Sequence, residues 1–160
     1  MAALEAVVGR AAMEELPHYR RILLATDGSD TAELAGRHAV ALARQTGATL
    51  AACYVVDSHL AFGAGIYQAE ALRELRQQGE RALAAVGELA RGAGLEAETE
   101  VSEGRPGEVI VGEAERSGAD LIMLGSHGQG ALEDILLGSV SQYVVHHAHV
   151  PVCIVRPPRR

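Results

Sequence analysis

Residues 119–156 read ADLIMLGSHGQGALEDILLGSVSQYVVHHAHVPVCIVR, and their order decides the fold class. Asp120–Leu124 is apolar after its first residue, which predicts a short strand buried on both faces. Glycines at 125, 128, 130 and 138 then mark a long loop in which backbone can approach a neighbour closely. Ser139–His147 follows with helical spacing, and Val150–Val155 is a second apolar strand, stopped by Pro157-Pro158-Arg159-Arg160. A strand, a helix and a strand in this succession form a parallel unit, because the crossover carries the chain back to its starting edge.

The same alternation extends upstream. Ile22–Thr26 is an apolar strand and Asp27-Gly28-Ser29-Asp30 a turn. Asp30 is placed to cap the next helix with Glu33 as its capping-box partner, and Gly47 ends that helix. Thr49–Val56 is the second strand, and Asp57–Gln68 a glycine-containing loop. A long helix is predicted over Ala69–Arg91, closed by Gly92 and Gly94. In Leu95–Ser102, Glu96, Glu98 and Glu100 alternate with Leu95, Ala97, Thr99 and Val101, the pattern of an exposed edge strand. Arg105-Pro106-Gly107-Glu108 opens a helix that runs to Ser117–Gly118, with Pro near its first position. The sum is α/β: a single three-layer, doubly wound domain with a five-stranded parallel sheet. Residues 1–18 read as an N-terminal helical extension and 19–160 as the domain.

Composition narrows the chemistry. The chain has 160 residues and 14 basic side chains, and every one of the 14 is arginine. Without lysine there is no Walker A loop, no kinase strand lysine and no Schiff-base amine. Phosphate, if bound, must meet backbone N–H groups, hydroxyls, histidine or arginine. A net charge of −7 argues against a polyanion binder, and the scarcity of aromatics argues against a stacking platform for single strands, so no nucleic-acid partner is expected. Cys53 and Cys153 lie in apolar runs and read as buried structural thiols. No apolar run reaches the length of a membrane span and no secretory signal is visible, so a cytoplasmic protein without a membrane partner is expected.

Doubly wound sheets take ligands at the carboxyl ends of strands where the order reverses. Here those ends are Ala25-Thr26-Asp27 and Leu124-Gly125-Ser126. Gly138-Ser139-Val140-Ser141 opens a helix whose first N–H groups have no helical partner, an anion site that needs no lysine. The alternative is a flexible loop with a serine cap, and the residues alone leave both open.

The spacing Gly125-x2-Gly128-x9-Gly138-Ser139 closely resembles the G-2x-G-9x-G-[ST] motif of the universal stress protein family, in its ATP-binding branch. The opening ILLATDGSD and the whole of residues 119–156 resemble that family too, so the likeness covers about residues 20–156. It implies a Rossmann-like, adenine nucleotide alpha hydrolase-like sheet of order 3-2-1-4-5. It implies that Ala25, Thr26 and Asp27 lie beside adenine and ribose, and that Val55 offers backbone to the adenine. It implies that Leu124, Gly125, His127, Gly128 and the turn Gly138, Ser139, Val140, Ser141 hold ribose and phosphates. ATP, AMP or ADP is the implied ligand, with Mg²⁺ riding on the phosphates and no metal held by side chains. Relatives often carry a basic residue after the second glycine; here Gln129 stands there, which favours AMP or ADP over a triphosphate. Valine at Gly138 is expected to fill the phosphate space and leave the fold intact.

Other residues have plainer readings. Asp27-Gly28 also suits a simple turn. His127 has no second ligand at metal spacing, which leaves a hydrogen bond to phosphate or loop backbone. His146, His147 and His149 fall where cations complement a helix C-terminus. Glu133 and Asp134 read as a solvated turn and Arg105 as a solvent-facing arginine. No nucleophile is evident, so no catalytic residue is assigned; the resemblance allows at most a slow ATP hydrolase, or a family member that binds no nucleotide and works through protein contacts. An apolar edge strand at Val150–Val155 needs covering, and the same strand of a second copy would cover it, giving a homodimer.

Overall fold

The computed structural model describes residues 16–128 and 137–158. The N-terminal lead expected over residues 1–18 falls almost wholly outside the described residues, as do Gln129, Gly130, Glu133 and Asp134. Five strands, β1 (Arg21–Ala25), β2 (Thr49–Asp57), β3 (Ala97–Gly104), β4 (Leu121–Gly125) and β5 (Val152–Val155), form one parallel sheet of order β3-β2-β1-β4-β5. The helices are α1 (Asp30–Thr46), α2 (Ser58–Phe62), α3 (Gln68–Gly92), α4 (Pro106–Ser117) and α5 (Ser139–His147), with a 3₁₀ turn at Gly65–Tyr67.

Period-2 alternation sorts the strand side chains between two cores. Ile22, Leu24, Leu50, Ala52, Tyr54, Val56 and Met123 pack under α1 and α3. Leu23, Ala25, Ala51, Cys53, Ile122 and Leu124 pack under α4 and α5. Sequential connections therefore cover both faces, and the winding reverses between β1 and β4, the two strands whose carboxyl ends flank the crevice.

Several boundaries differ from the sequence expectation, each for a local reason. Ser29, not Asp30, caps α1: its backbone is extended (φ −72°, ψ 162°) and its hydroxyl accepts the Ala32 N–H at 3.2 Å. Asp30 is already helical, and Glu33 pairs with Arg37 instead of closing a capping box. Ser29→Ala should cost about 1 kcal/mol, seen as a fall in melting temperature of roughly 2–4 °C. The predicted loop Asp57–Gln68 holds α2 and the 3₁₀ turn, because the Asp57 carboxylate accepts the His59 N–H at 3.0 Å and nucleates a helical turn. Asp120 falls just outside β4; its carboxylate accepts the Arg20 and Arg21 N–H groups at 2.8 and 3.1 Å, tying the entries of β1 and β4 together. β5 starts two residues later than predicted, after Pro151, which lacks a donor for the ladder. Gly47 closes α1 as expected, at φ 74°.

β3 is the polar edge foreseen, and its glutamates are paired: Glu98 with Arg21, Glu100 with Arg116 and Glu103 with Arg76. The hydrogen bond from Arg21 holds the Glu98 carboxyl below the usual carboxylate range. No helix among the described residues is long and apolar enough to cross a membrane.

Candidate functional site

The carboxyl ends of β1, β2 and β4 open on one cleft of about 780 Å³. All twelve residues singled out from the sequence line it: Ala25, Thr26, Asp27, Val55, Leu124, Gly125, His127, Gly128, Gly138, Ser139, Val140 and Ser141. They come from four segments spread over more than 110 residues of chain, and the sheet order alone brings them together.

The floor is the turn after β1. Asp27 Oδ1 accepts the Ser29 N–H at 3.0 Å, and Thr26 Oγ1 accepts the Gly28 N–H at 3.2 Å. The wall opposite is the glycine loop after β4. Its two ends are clamped: the Ser126 N–H donates to the Val155 carbonyl at 2.8 Å, and the Gly138 N–H donates to the Ser126 carbonyl at 2.7 Å. The His127 ring bridges two hydroxyls, Nδ1 with Ser126 Oγ at 3.0 Å and Nε2 with Thr31 Oγ1 at 3.4 Å. Among the described residues its partners are therefore side chains of its own loop and of α1.

The three motif glycines are each held by protein. A Cβ on Gly125 would stand 2.9 Å from Thr31 Cγ2 and 3.1 Å from the Ala32 nitrogen. On Gly128 it would stand 2.5 Å from Asp27 Oδ2, and on Gly138 it would stand 3.2 Å from His127 Cα. The motif thus records close backbone approach of the β4 loop to α1 and to the β1 turn. At Gly138 the nearest atom to an added Cβ is His127 Cα, so Gly138→Val presses on the loop as well as on the cleft.

The N-terminus of α5 borders the cleft. Gly138 is its N-cap and provides no side-chain acceptor, whereas Ser29 and Asp57 cap α1 and α2. Among the described residues no side chain caps the start of α5, where the positive end of the helix dipole lies. Ser141 does not add a free donor there: its buried hydroxyl donates to the Gly125 carbonyl at 2.8 Å and fixes α5 against β4. Ser139 starts the helix on the cleft side.

The remaining lining was not foreseen. Asp57, Leu60, Leu75, Gln78, Pro106, Ile110 and Gln142 all reach the cleft. One signal was available: Asp57 follows Val55 by two residues on a strand, and Leu75 and Gln78 are three apart on a helix, so each pair shares a face. Among the described residues, aspartates 27 and 57 are the charged side chains of the lining, and no arginine enters it.

Cys53 also borders the cleft but is 1% exposed, and burial pushes its thiol up to about 12. Cys153, expected to be buried as well, is half-buried, because β5 has a neighbour on one side only. In the single chain a thiol reagent at neutral pH should therefore reach Cys153 before Cys53, which reacts only on unfolding; rapid loss of both thiols would contradict this. His147 stacks on Tyr143 with ring centres 3.9 Å apart, and His149 pairs with Glu115 at 3.1 Å, which places the three-histidine segment at the far end of α5.

The profile of the universal stress protein family matches residues 18–156. The chain belongs to the universal stress protein family. A universal stress protein of Methanocaldococcus jannaschii is 40% identical over 144 residues, covering 89% of this chain and 85% of that protein. The solved structure of universal stress protein UspA from Lactobacillus plantarum superposes with a TM-score of 0.79 at 30% identity, over 88% of this chain and all of that one. A universal stress protein from Archaeoglobus fulgidus, solved in complex with dAMP, matches with a TM-score of 0.64 at 26% identity, over 87% and 99% of the two chains. Another universal stress protein, solved with cAMP, matches with a TM-score of 0.59 at 28% identity, over 88% and 98%. Two solved structures of this family thus hold adenine nucleotides, and the sheet order of this member is the one its sequence resemblance implied.

Proposed function

We propose that this universal stress protein binds an adenine nucleotide in the cleft at the carboxyl ends of β1 and β4, and that nucleotide occupancy sets the state of a regulatory dimer in the cytoplasm. The observation that carries the reading is the uncapped N-terminus of α5 beside a glycine loop clamped at both ends. Phosphate fits there without lysine. Val55, Leu60, Leu75, Pro106 and Ile110 form an apolar wall suited to a base, and Leu60 is 71% exposed until something covers it. Family members solved with dAMP and cAMP carry the same two chemical parts, an adenine and a single phosphate.

The donor set also fits Mg²⁺ held through phosphate. Among the described residues, aspartates 27 and 57 are the charged side chains of the lining, so a triphosphate brings its negative charge to carboxylates unless a cation accompanies it. Mg²⁺ supplies that cation when bound; the chain supplies backbone donors for the phosphate oxygens. ATP binding should weaken by about tenfold or more when Mg²⁺ is chelated, a shift of ~1.4 kcal/mol, while AMP binding should change little. Calorimetry with and without chelator measures both, and equal losses for AMP and ATP would contradict the charge argument.

The test of the reading is direct. Purified protein is denatured and the released nucleotide identified by mass spectrometry, and melting is followed with added AMP or Mg·ATP. A ligand at a hundred times its dissociation constant adds about 2.7 kcal/mol, a readily measured rise. No released nucleotide and no rise would sink the proposal and leave a family member acting through its protein surface.

The dimer is proposed through β5. This strand is an edge of the sheet, with half-buried Val152, Cys153 and Ile154 and, among the described residues, a strand neighbour on one side. Two copies pairing there would satisfy both edges. Sedimentation showing monomer alone at micromolar concentration would remove it. Residues 1–18 are proposed to lie outside the domain as an extension.

A further inference from the structure

We infer that the segment between β2 and α3 is a self-association surface, on which a second copy of this chain docks through the same residues about a two-fold axis. Of the six large hydrophobic side chains that stand exposed among the described residues, four lie in this one stretch: Leu60, Phe62, Ile66 and Tyr67, each 63 to 91% exposed. A surface helix ordinarily turns its apolar side chains to the core; here the local backbone does the reverse. Ala61 is the buried residue of α2, so the small side chain faces the protein while Leu60 and Phe62 on either side of it face solvent. Gly65, at φ 58°, then turns the chain, and Ile66 and Tyr67 follow on the surface. The Ala64 N–H donates to the Ala61 carbonyl at 3.0 Å and the Tyr67 N–H to the Ala64 carbonyl at 3.1 Å, and Asp57 caps α2. Both α2 and the 3₁₀ turn pack on α3, so the apolar shelf is folded before anything docks on it.

Charge and area select the occupant. From Ser58 to Ala69 there is no arginine, aspartate or glutamate. Copies of a chain with net charge −7 repel one another, so contact between them is least opposed where neither brings a charge. At roughly 200 Å² for a large side chain, the exposed parts of the four come to about 600 Å², the upper end of the apolar patch that a monomer carries. Two such shelves face to face remove about 1,200 Å² from water, the threshold of a specific interface. That total needs a facing surface equally large and equally apolar, which a second copy supplies by symmetry. Exposed Glu70, Arg73 and Glu74 at the start of α3 carry both signs and form a rim that can pair across the axis. The shelf is separate from β5, because β1 and β4 lie between β2 and β5 in the sheet. A chain that pairs through both surfaces builds beyond a dimer. Nothing in this contact depends on what the cleft binds.

Sedimentation velocity on the full chain at about 1 to 100 μM brackets the affinity of a contact at this threshold. The mass of the wild type should rise about twofold over the series, whether the smaller species is a monomer or a dimer through β5. Ile66→Asp sets carboxylates against each other across the axis and should raise the dissociation constant of that step by about tenfold or more, as should Phe62→Asp. Both side chains are exposed, so the melting temperatures should stay within about 2 °C of wild type, which shows that the variants are folded. A wild type that is already the larger species throughout supports the assignment if the variants halve its mass. A single mass shared by wild type and variants at every concentration, or the wild-type series reproduced by either variant, would overturn it. Binding of the wild type to neutral phosphatidylcholine vesicles without self-association, lost in Ile66→Asp, would give the shelf to a lipid surface and overturn it as well.

Discussion

Gly125→Val should lower the melting temperature of this protein by roughly 6–12 °C, from a destabilisation of about 3 kcal/mol. The substitution adds three carbons where the first already meets Thr31 Cγ2 at 2.9 Å and the Thr31 carbonyl carbon at 3.0 Å. Those atoms belong to the first turn of α1, which is held by its Ser29 cap and packed in the core through Ala35 and Ala39. A side chain can swing aside; the start of a capped helix cannot without losing its cap. Gly125 also gives its carbonyl to the Ser141 hydroxyl, so displacement of β4's end loosens α5 as well. Thermal unfolding followed by circular dichroism measures the effect. A fall of less than about 2 °C, under 1 kcal/mol for a domain of this size, would mean that α1 yields and that the contact is soft.

Gly128→Ala is expected to act mainly on binding. Its new Cβ would stand 2.5 Å from Asp27 Oδ2, and the other Asp27 oxygen is occupied by the Ser29 N–H. The carboxylate must move by an ångström or so, and with it the turn that forms the floor of the cleft. Misplacement of that size costs on the order of a hundredfold in a preorganised site, so AMP affinity should fall by about that factor. Stability should change by only a few degrees, because Gly128 lies at the surface end of the loop and packs no core side chain. AMP affinity within about threefold of wild type would show that the β1 turn and the β4 loop adjust together, and would weaken the assignment of this turn to the ligand.

Both effects come from glycines that the sequence marked by spacing. Their reason was not legible there. Gly125-x2-Gly128-x9-Gly138 reads equally well as room for phosphate or as room for protein. The structure shows that a Cβ at each position would first meet protein, namely α1, Asp27 and His127. Ser141 is a similar case: as a hydroxyl near a helix start it reads as a phosphate donor, yet its proton is spent on the Gly125 carbonyl. The identity of a hydrogen-bond partner sixteen residues away depends on how α5 docks, which no local pattern encodes.

What the sequence determined by itself was whatever has a short period or a strong local cost. Apolar runs at 22–26 and 120–124 specified buried strands, alternating glutamates at 96, 98 and 100 specified an edge, and the absence of lysine excluded whole classes of phosphate chemistry, whereas the apolar run at 150–155 turned out to be a half-buried edge. The motif spacing carried the family and, through it, the strand order. Tertiary structure alone decided which side chains share the cleft. Asp57, Leu60, Leu75, Gln78 and Ile110 belong to four elements of unremarked polarity, and they meet only because a parallel sheet aims the carboxyl ends of β1, β2 and β4 at one place. Local propensity acts over one turn or one strand; the juxtaposition of strand ends is a property of the closed sheet, and it exists only once the two cores have formed.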